Sequence, residues 1–192
     1  MADSSESNRW RTPAAAGRWN ATALLVALVG AGGSLWLSLG MGLKACPLCF
    51  YQRAFVLAVA GVLLTALLTS ARWSALPAVL SLPASAGGLG VAAFHVWLEL
   101  SGKLECPGGI LGFGSAPQQS LVVFVVLTGL LCIAAVGGRR AGEFGGLAWA
   151  VAVALGAFFA AGSIASAPPL PDAPPKPYSD ELTTCRPPYR PA

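Results

Sequence analysis

Five runs of almost unbroken apolar residues, at about 21–43, 50–70, 75–99, 119–137 and 145–165, are each long enough to cross the ~30 Å hydrocarbon core of a bilayer as a helix. In lipid, each backbone N–H and C=O has to be satisfied within the protein, which leaves helices or closed barrels. Unbroken apolar runs, rather than alternating ones, select helices. The chain is therefore expected to be an all-α integral membrane protein. Its transmembrane domain covers 21–165, after a polar segment 1–20 and before a proline-rich tail 166–192. With 55% hydrophobic and only 10% charged residues, there is too little polar surface to cover a soluble globule of this length. The run after Arg18 is longer than a signal-peptide core, and another follows almost at once, so it reads as a span.

Arginine and lysine fix an expected orientation. Arg9, Arg11, Arg18, Arg72, Arg139 and Arg140 gather at one set of span ends. Lys44, Lys103 and Lys176 lie near the other set, with Arg186 and Arg190 farther down the tail. Basic residues collect on the cytoplasmic side. The amino terminus is thus expected inside, and the 44–49 turn, the 100–118 loop and the tail outside. The net charge of +4 is accounted for by this bias without a nucleic-acid partner.

On that topology Cys46, Cys49, Cys106 and Cys185 face the outer side, and only Cys132 falls within a span. Disulfides persist outside the cytoplasm, whereas a cysteine used as a small apolar residue is buried like Cys132. The split argues for two redox pairs and one packing residue.

Cys46 and Cys49 are separated by two residues at a helix start, which brings their sulfurs within bonding reach. The free N–H groups and the dipole of the helix favour a thiolate there. Pro47 suits the first turn, where its missing N–H is no loss. The competing readings are half a zinc site or a static clip. Zinc requires a second ligand pair, for which His95 with a distant cysteine is a weak substitute, and no metal-ligand cluster is legible. Arg53 lies four residues beyond Cys49, hence on the same face one turn deeper. It is either a group that polarises a bound acceptor or stabilises the Cys49 thiolate, or an interfacial arginine reaching toward lipid head groups. His95 and Glu99 share a face near the outer end of the third span. His95 is a candidate proton relay or acceptor-binding group, with a satisfied packing histidine as the alternative. Gly30, Gly32 and Gly33 in the first span and Gly87, Gly88 and Gly90 in the third are expected to let helices approach closely.

The segment Cys46-Pro47-Leu48-Cys49-Phe50-Tyr51-Gln52-Arg53, at the start of a second span after a short outer turn, resembles the signature of the DsbB family of bacterial thiol:quinone oxidoreductases. The resemblance implies a four-helix transmembrane bundle in the bacterial inner membrane, here with a fifth helix and an extracytoplasmic tail added. It implies a soluble periplasmic thioredoxin-fold partner of the DsbA type and a ubiquinone or menaquinone as acceptor. Carried over by position, Cys49 is the quinone-side sulfur, Cys46 receives the electrons, and Arg53 contacts the quinone, with His95 a further candidate. Cys106 matches an outer-loop cysteine that exchanges with the soluble partner.

The family keeps both cysteines of its second pair in one outer loop, but the 100–118 loop offers only Cys106. The fifth span returns the chain to the outer side with Cys185 in the tail, so Cys106 and Cys185 are expected to form the second pair. The alternative is a tail whose cysteine is incidental. Exchange requires one sulfur to approach another, so the loop and tail are expected to be mobile. Two rival functions remain: a quinone-coupled thiol enzyme resembling vitamin K epoxide reductase, whose Cys-x-x-Cys usually comes late in the bundle, and a non-catalytic membrane protein whose thiols bind metal or form a clip.

Overall fold

The structure, a computed structural model, describes residues 13–143, 145–174 and 176–189. Arg9, Arg11 and Arg190, used above for orientation, lie outside the described residues. Helix α1 spans Pro13–Leu39, α2 Pro47–Leu67, α3 Leu76–Leu100, α4 Ala116–Arg140 and α5 Gly146–Ser166. Short 3-10 turns lie at Ser70–Trp73 and Ile110–Gly112. All five helices are long and apolar enough to cross a membrane, and the chain is an all-α integral membrane protein.

Local chemistry sets the helix ends. Pro47 and Pro117 occupy first-turn positions, where proline is pre-organised for the helix. Ser115 and Gln118 form a reciprocal capping box on α4. α1 starts before the expected residue 21 and ends before the expected residue 43. Pro13 opens it, and beyond Leu39 the chain turns through Gly42, whose φ of +68° suits glycine.

α1 packs against α2 and α4, and α3 packs against the same two helices, which closes a four-helix ring. α5 lies outside the ring against α3. Consequently α3 is 56% buried over its most apolar window and α5 only 11%. Phe124, Leu127 and Leu131 of α4 fill the middle of the ring. The Phe124 ring lies over Gly88, where a Cβ would collide with it. A Cβ on Gly90 would come within 2.6 Å of Ala160 Cβ, and one on Gly156 within 2.7 Å of Ala86 Cβ. Small residues thus let α5 sit close on α3, the usual device for helix association in lipid, where no hydrophobic force drives it. Ser85 and Thr128 add a 2.7 Å hydroxyl contact between α3 and α4.

The two ends of the bundle differ. At one end lie Arg18, Arg139 and Arg140, with Glu143 accepting a 2.7 Å hydrogen bond from the Ala75 N–H at the start of α3. At the other end, five spans bring together the 40–46 turn, the 101–115 loop and the tail after Ser166. Cys46, Cys49, Cys106 and Cys185 are all at this second end.

Candidate functional site

The α2 start is built by Cys46 itself. Its extended backbone caps the helix and its sulfur accepts from the Cys49 N–H at 3.3 Å. The two Sγ atoms are 2.9 Å apart, both as free thiols. Hydrogen bonding with the Cys49 thiol, with help from His95 and against the opposing effect of burial, pulls the Cys46 thiol down to about 4. The sequence left open which of the two sulfurs carries the thiolate; the cap geometry favours Cys46, whose sulfur accepts the Cys49 N–H at the helix start.

Cys106 and Cys185 form a disulfide, with their Cα atoms 4.2 Å apart. The tail is fastened on either side of it. Glu105 and Arg186 exchange two backbone hydrogen bonds at 2.8 and 3.0 Å, and their side chains add an ion pair at 2.8 Å. Arg186 also lies 3.7 Å above the Tyr178 ring, and Lys44 N–H donates to Thr183 O at 2.8 Å. The mobile tail expected from exchange chemistry is therefore a held strap over 183–187, and the sulfurs are already gathered. The Sγ atoms of Cys46, Cys49 and Cys185 and a ring nitrogen of His95 all lie within 4.8 Å of one another.

His95 stands between the two pairs. It is fully buried, with Nε2 3.5 Å from Cys106 Sγ and 3.8 Å from Cys46 Sγ. Its Nδ1 faces the Gln52 amide nitrogen at 3.3 Å. Its partners are sulfurs and an amide. Glu99, on the same helix, accepts from Ser115 Oγ at 2.7 Å.

On the far side of Cys49 lies a cavity of about 330 Å³ between α1, α2 and α4. Val29, Val56, Val123 and Ile110 supply apolar walls, and Cys49, Gln52 and Arg53 supply a polar end. Such a concave apolar site with a few convergent polar groups has the character of a small-molecule site. Arg53 is oriented by α1: its Nε donates to Ser34 Oγ at 3.0 Å, and its Nη2 donates to Ser34 O at 2.8 Å and Ser38 Oγ at 2.6 Å. These three bonds leave Nη1 out. Gln119 folds the 110–113 loop over the same cavity, donating to Ile110 O and Phe113 O and accepting from Ile110 N–H. His95, expected as a quinone contact, is not among the lining residues. A second cavity, about 290 Å³, reaches Cys46 and Cys185 from beneath the tail prolines Pro168, Pro169 and Pro171.

Sequence reasoning missed Gln52, Ser34 and Ser38. Their signal was a polar amide and two serines one turn apart on otherwise apolar helices.

The family model for disulfide bond formation protein DsbB matches residues 17–121, which include Cys46, Cys49, Arg53, His95 and Cys106. Three curated relatives are each named "Disulfide bond formation protein B". Those of Xanthomonas euvesicatoria pv. vesicatoria (strain 85-10), Xanthomonas oryzae pv. oryzae (strain MAFF 311018) and Xanthomonas campestris pv. campestris (strain 8004) are 36%, 34% and 33% identical over 102 residues. Each alignment covers 50% of this chain, which spans 59% of the relative's length. No solved structure matches the chain significantly. α5, the tail and Cys185 lie beyond the matched segment. With more than half of its length under the family model, and with its cysteine-capped second helix at one end of a four-helix ring, this chain belongs to the DsbB family of membrane disulfide bond formation proteins.

Proposed function

We propose that the chain is a membrane thiol:quinone oxidoreductase. It reoxidises a soluble thioredoxin-fold dithiol of the DsbA type on the outer face of the bacterial inner membrane and delivers the electrons to a ubiquinone or menaquinone. The observation that carries this reading is the Cys106–Cys185 disulfide seated against the Cys46/Cys49 pair, with Cys49 opening onto the cavity beside Arg53. Arg18, Arg139 and Arg140 at the opposite end support an outward-facing site.

The donor thiolate attacks Cys106 and breaks its bond to Cys185, which leaves as a thiolate. Cys185, within 4.8 Å of both sulfurs, attacks Cys46 of the oxidised Cys46–Cys49 pair and displaces the Cys49 thiolate toward Arg53. The donor's second thiol closes its own disulfide and frees Cys106. Cys106 then attacks Cys185, restores the outer disulfide and releases Cys46. A thiol held down to about 4 is a good leaving group, since a leaving sulfur of low pKa departs faster. His95 Nε2, in reach of both Cys106 and Cys46, steadies each thiolate as it forms. The two electrons then reside on the reduced Cys46 and Cys49 sulfurs, Cys46 as a thiolate. A quinone bound in the cavity supplies the two-electron acceptor, and Arg53 Nη1 is the donor available to one of its carbonyl oxygens.

The test is quinol formation by the purified chain in detergent, supplied with a reduced thioredoxin-fold oxidase. Turnover that vanishes in Cys49→Ala is the expected result. A wild-type chain that leaves ubiquinone and menaquinone untouched with protein and small-dithiol donors alike overturns the proposal.

A further inference from the structure

We propose that, once both cysteine pairs are reduced, Cys46, Cys49, Cys185 and His95 form a tetrahedral site for a soft divalent cation of the zinc type, which locks the protein in its reduced state. The proposal rests on the redox reading above, because that cycle opens the Cys106–Cys185 disulfide and releases the Cys185 sulfur.

The donor geometry is close to what zinc requires. Zinc binds thiolate sulfur at about 2.3 Å and imidazole nitrogen at about 2.0–2.1 Å in a tetrahedron, so neighbouring donors stand roughly 3.5–3.8 Å apart. Nε2 of His95 is 3.8 Å from Cys46 Sγ, the Cys46 and Cys49 sulfurs are 2.9 Å apart, and the whole set lies within 4.8 Å. Shifts of about 1 Å or less complete the shell. Three cysteines and one histidine are also a donor set of closed structural zinc sites.

The second shell is present as well. A ligating imidazole usually donates its other N–H to an oxygen, which fixes its tautomer. Nδ1 of His95 faces the Gln52 side-chain amide at 3.3 Å, and that amide turned about its axis presents its oxygen. Three thiolates around a divalent ion leave one net negative charge, and Arg53, one turn beyond Cys49, lines the same cavity as that sulfur. The second cavity reaches Cys46 and Cys185 from the tail side, an access route that does not cross the quinone cavity.

The step balances. Two donor dithiols are consumed, one for each cysteine pair, and each gives two electrons as it closes to a disulfide. The cation then binds the Cys46 thiolate and displaces the protons of Cys49 and Cys185, while Cys106 stays a free thiol. Zinc neither gains nor loses electrons, and its bonds hold the sulfurs that would otherwise exchange. The locked form accumulates when quinone is scarce, because reoxidation of Cys46 and Cys49 competes with metal capture.

Cobalt(II) is the probe. Full-length protein reduced with a phosphine, without quinone, is titrated with Co²⁺ and its visible spectrum recorded. One cobalt per chain with intense tetrahedral ligand-field bands and a sulfur-to-metal charge-transfer band, displaced by Zn²⁺, is expected. Cys185→Ser should weaken binding at least tenfold, and Gln52→Ala by about 10–100-fold. Cys106→Ser, which removes the partner of Cys185 in the outer disulfide, should retain the site in the reduced protein, and Cys132→Ser should bind as wild type does. Equal uptake by oxidised and reduced protein, a weak octahedral spectrum, or undiminished binding in Cys185→Ser would overturn the site. Quinone reduction is measured in parallel without metal. Turnover without a thiolate–cobalt spectrum sinks the metal site and leaves the redox reading intact, whereas a thiolate–cobalt spectrum in a chain that never turns over keeps the site and removes the enzyme.

Discussion

The ring of α1–α4 and the unit made by α5 and the tail are held by different means. Within the ring, hydrogen bonds cross between helices at membrane depth: Arg53 to Ser34 and Ser38, Ser85 to Thr128, Gln52 to His95. α5 is attached through small-residue contacts, Gly90 against Ala160 and Gly156 against Ala86, with Tyr51 to Ser166 as a polar tie at its end. The ring carries the cavity beside Arg53 and the first cysteine pair. α5 carries the chain back across the membrane so that Cys185 meets Cys106. A fifth helix therefore accomplishes by topology what a second loop cysteine would do locally, and the tail it delivers is strapped down by Glu105 and Arg186.

The largest expected effect falls on the added unit. Cys185→Ala should lower turnover with a protein donor by about two orders of magnitude or more, while a small dithiol that reaches Cys46 directly still drives quinone reduction. Equal losses with both donors would mean that the tail is structural and not part of the relay. Within the ring, Arg53→Met removes a charged donor from the cavity. The efficiency toward quinone, kcat/KM, is expected to fall about tenfold or more, in line with about 1.5–3 kcal/mol for a hydrogen bond to a charged group. Reduction of Cys46–Cys49 by thiols should be unchanged, and a parallel loss there would place Arg53 in the thiol chemistry instead.

The next contrast concerns pH. An ordinary thiol has a pKa of about 8.5, whereas Cys46 is held down to about 4. In the reduced chain, thiolate absorbance near 240 nm from Cys46 should persist as pH falls through neutrality and disappear as it passes about 4. In Cys46→Ser that component should be missing. Loss of the signal already near pH 8 would remove the leaving-group argument. The smallest effect is expected at the seam between the two units. Gly156→Leu meets Ala86 and Pro83 and should cost about 1–3 kcal/mol through overpacking. Gly162→Leu, with open space around its Cβ position, should change thermal unfolding in detergent by less than about 0.5 kcal/mol.

The helices were legible because membrane spanning imposes one length and one composition, which 47–67, 76–100, 116–140 and 146–166 all satisfy. The ends were less so: capping by Cys46 and Ser115 is decided by local hydrogen bonds and not by hydropathy. The meeting of Cys106 and Cys185 was readable from span parity, since the two crossings between them, α4 and α5, put both at one end. Helix rotation was not readable. Nothing in a run of apolar residues says which serines of α1 face Arg53, or that His95 turns toward sulfur and away from the cavity beside Arg53. Hydropathy also gave no sign that the tail would be pinned, because the pin is a two-residue backbone bridge between Glu105 and Arg186.

The most direct test of the relay is a trapping measurement. In Cys49→Ala/Cys106→Ala, the resolving sulfurs on either side are gone, and Cys46 and Cys185 remain at the site. Mild oxidation of the purified chain followed by peptide mass spectrometry should find a Cys46–Cys185 disulfide in most molecules. If both sulfurs stay free, or Cys185 pairs only between chains, electrons do not pass from the tail to the α2 pair and the central claim fails.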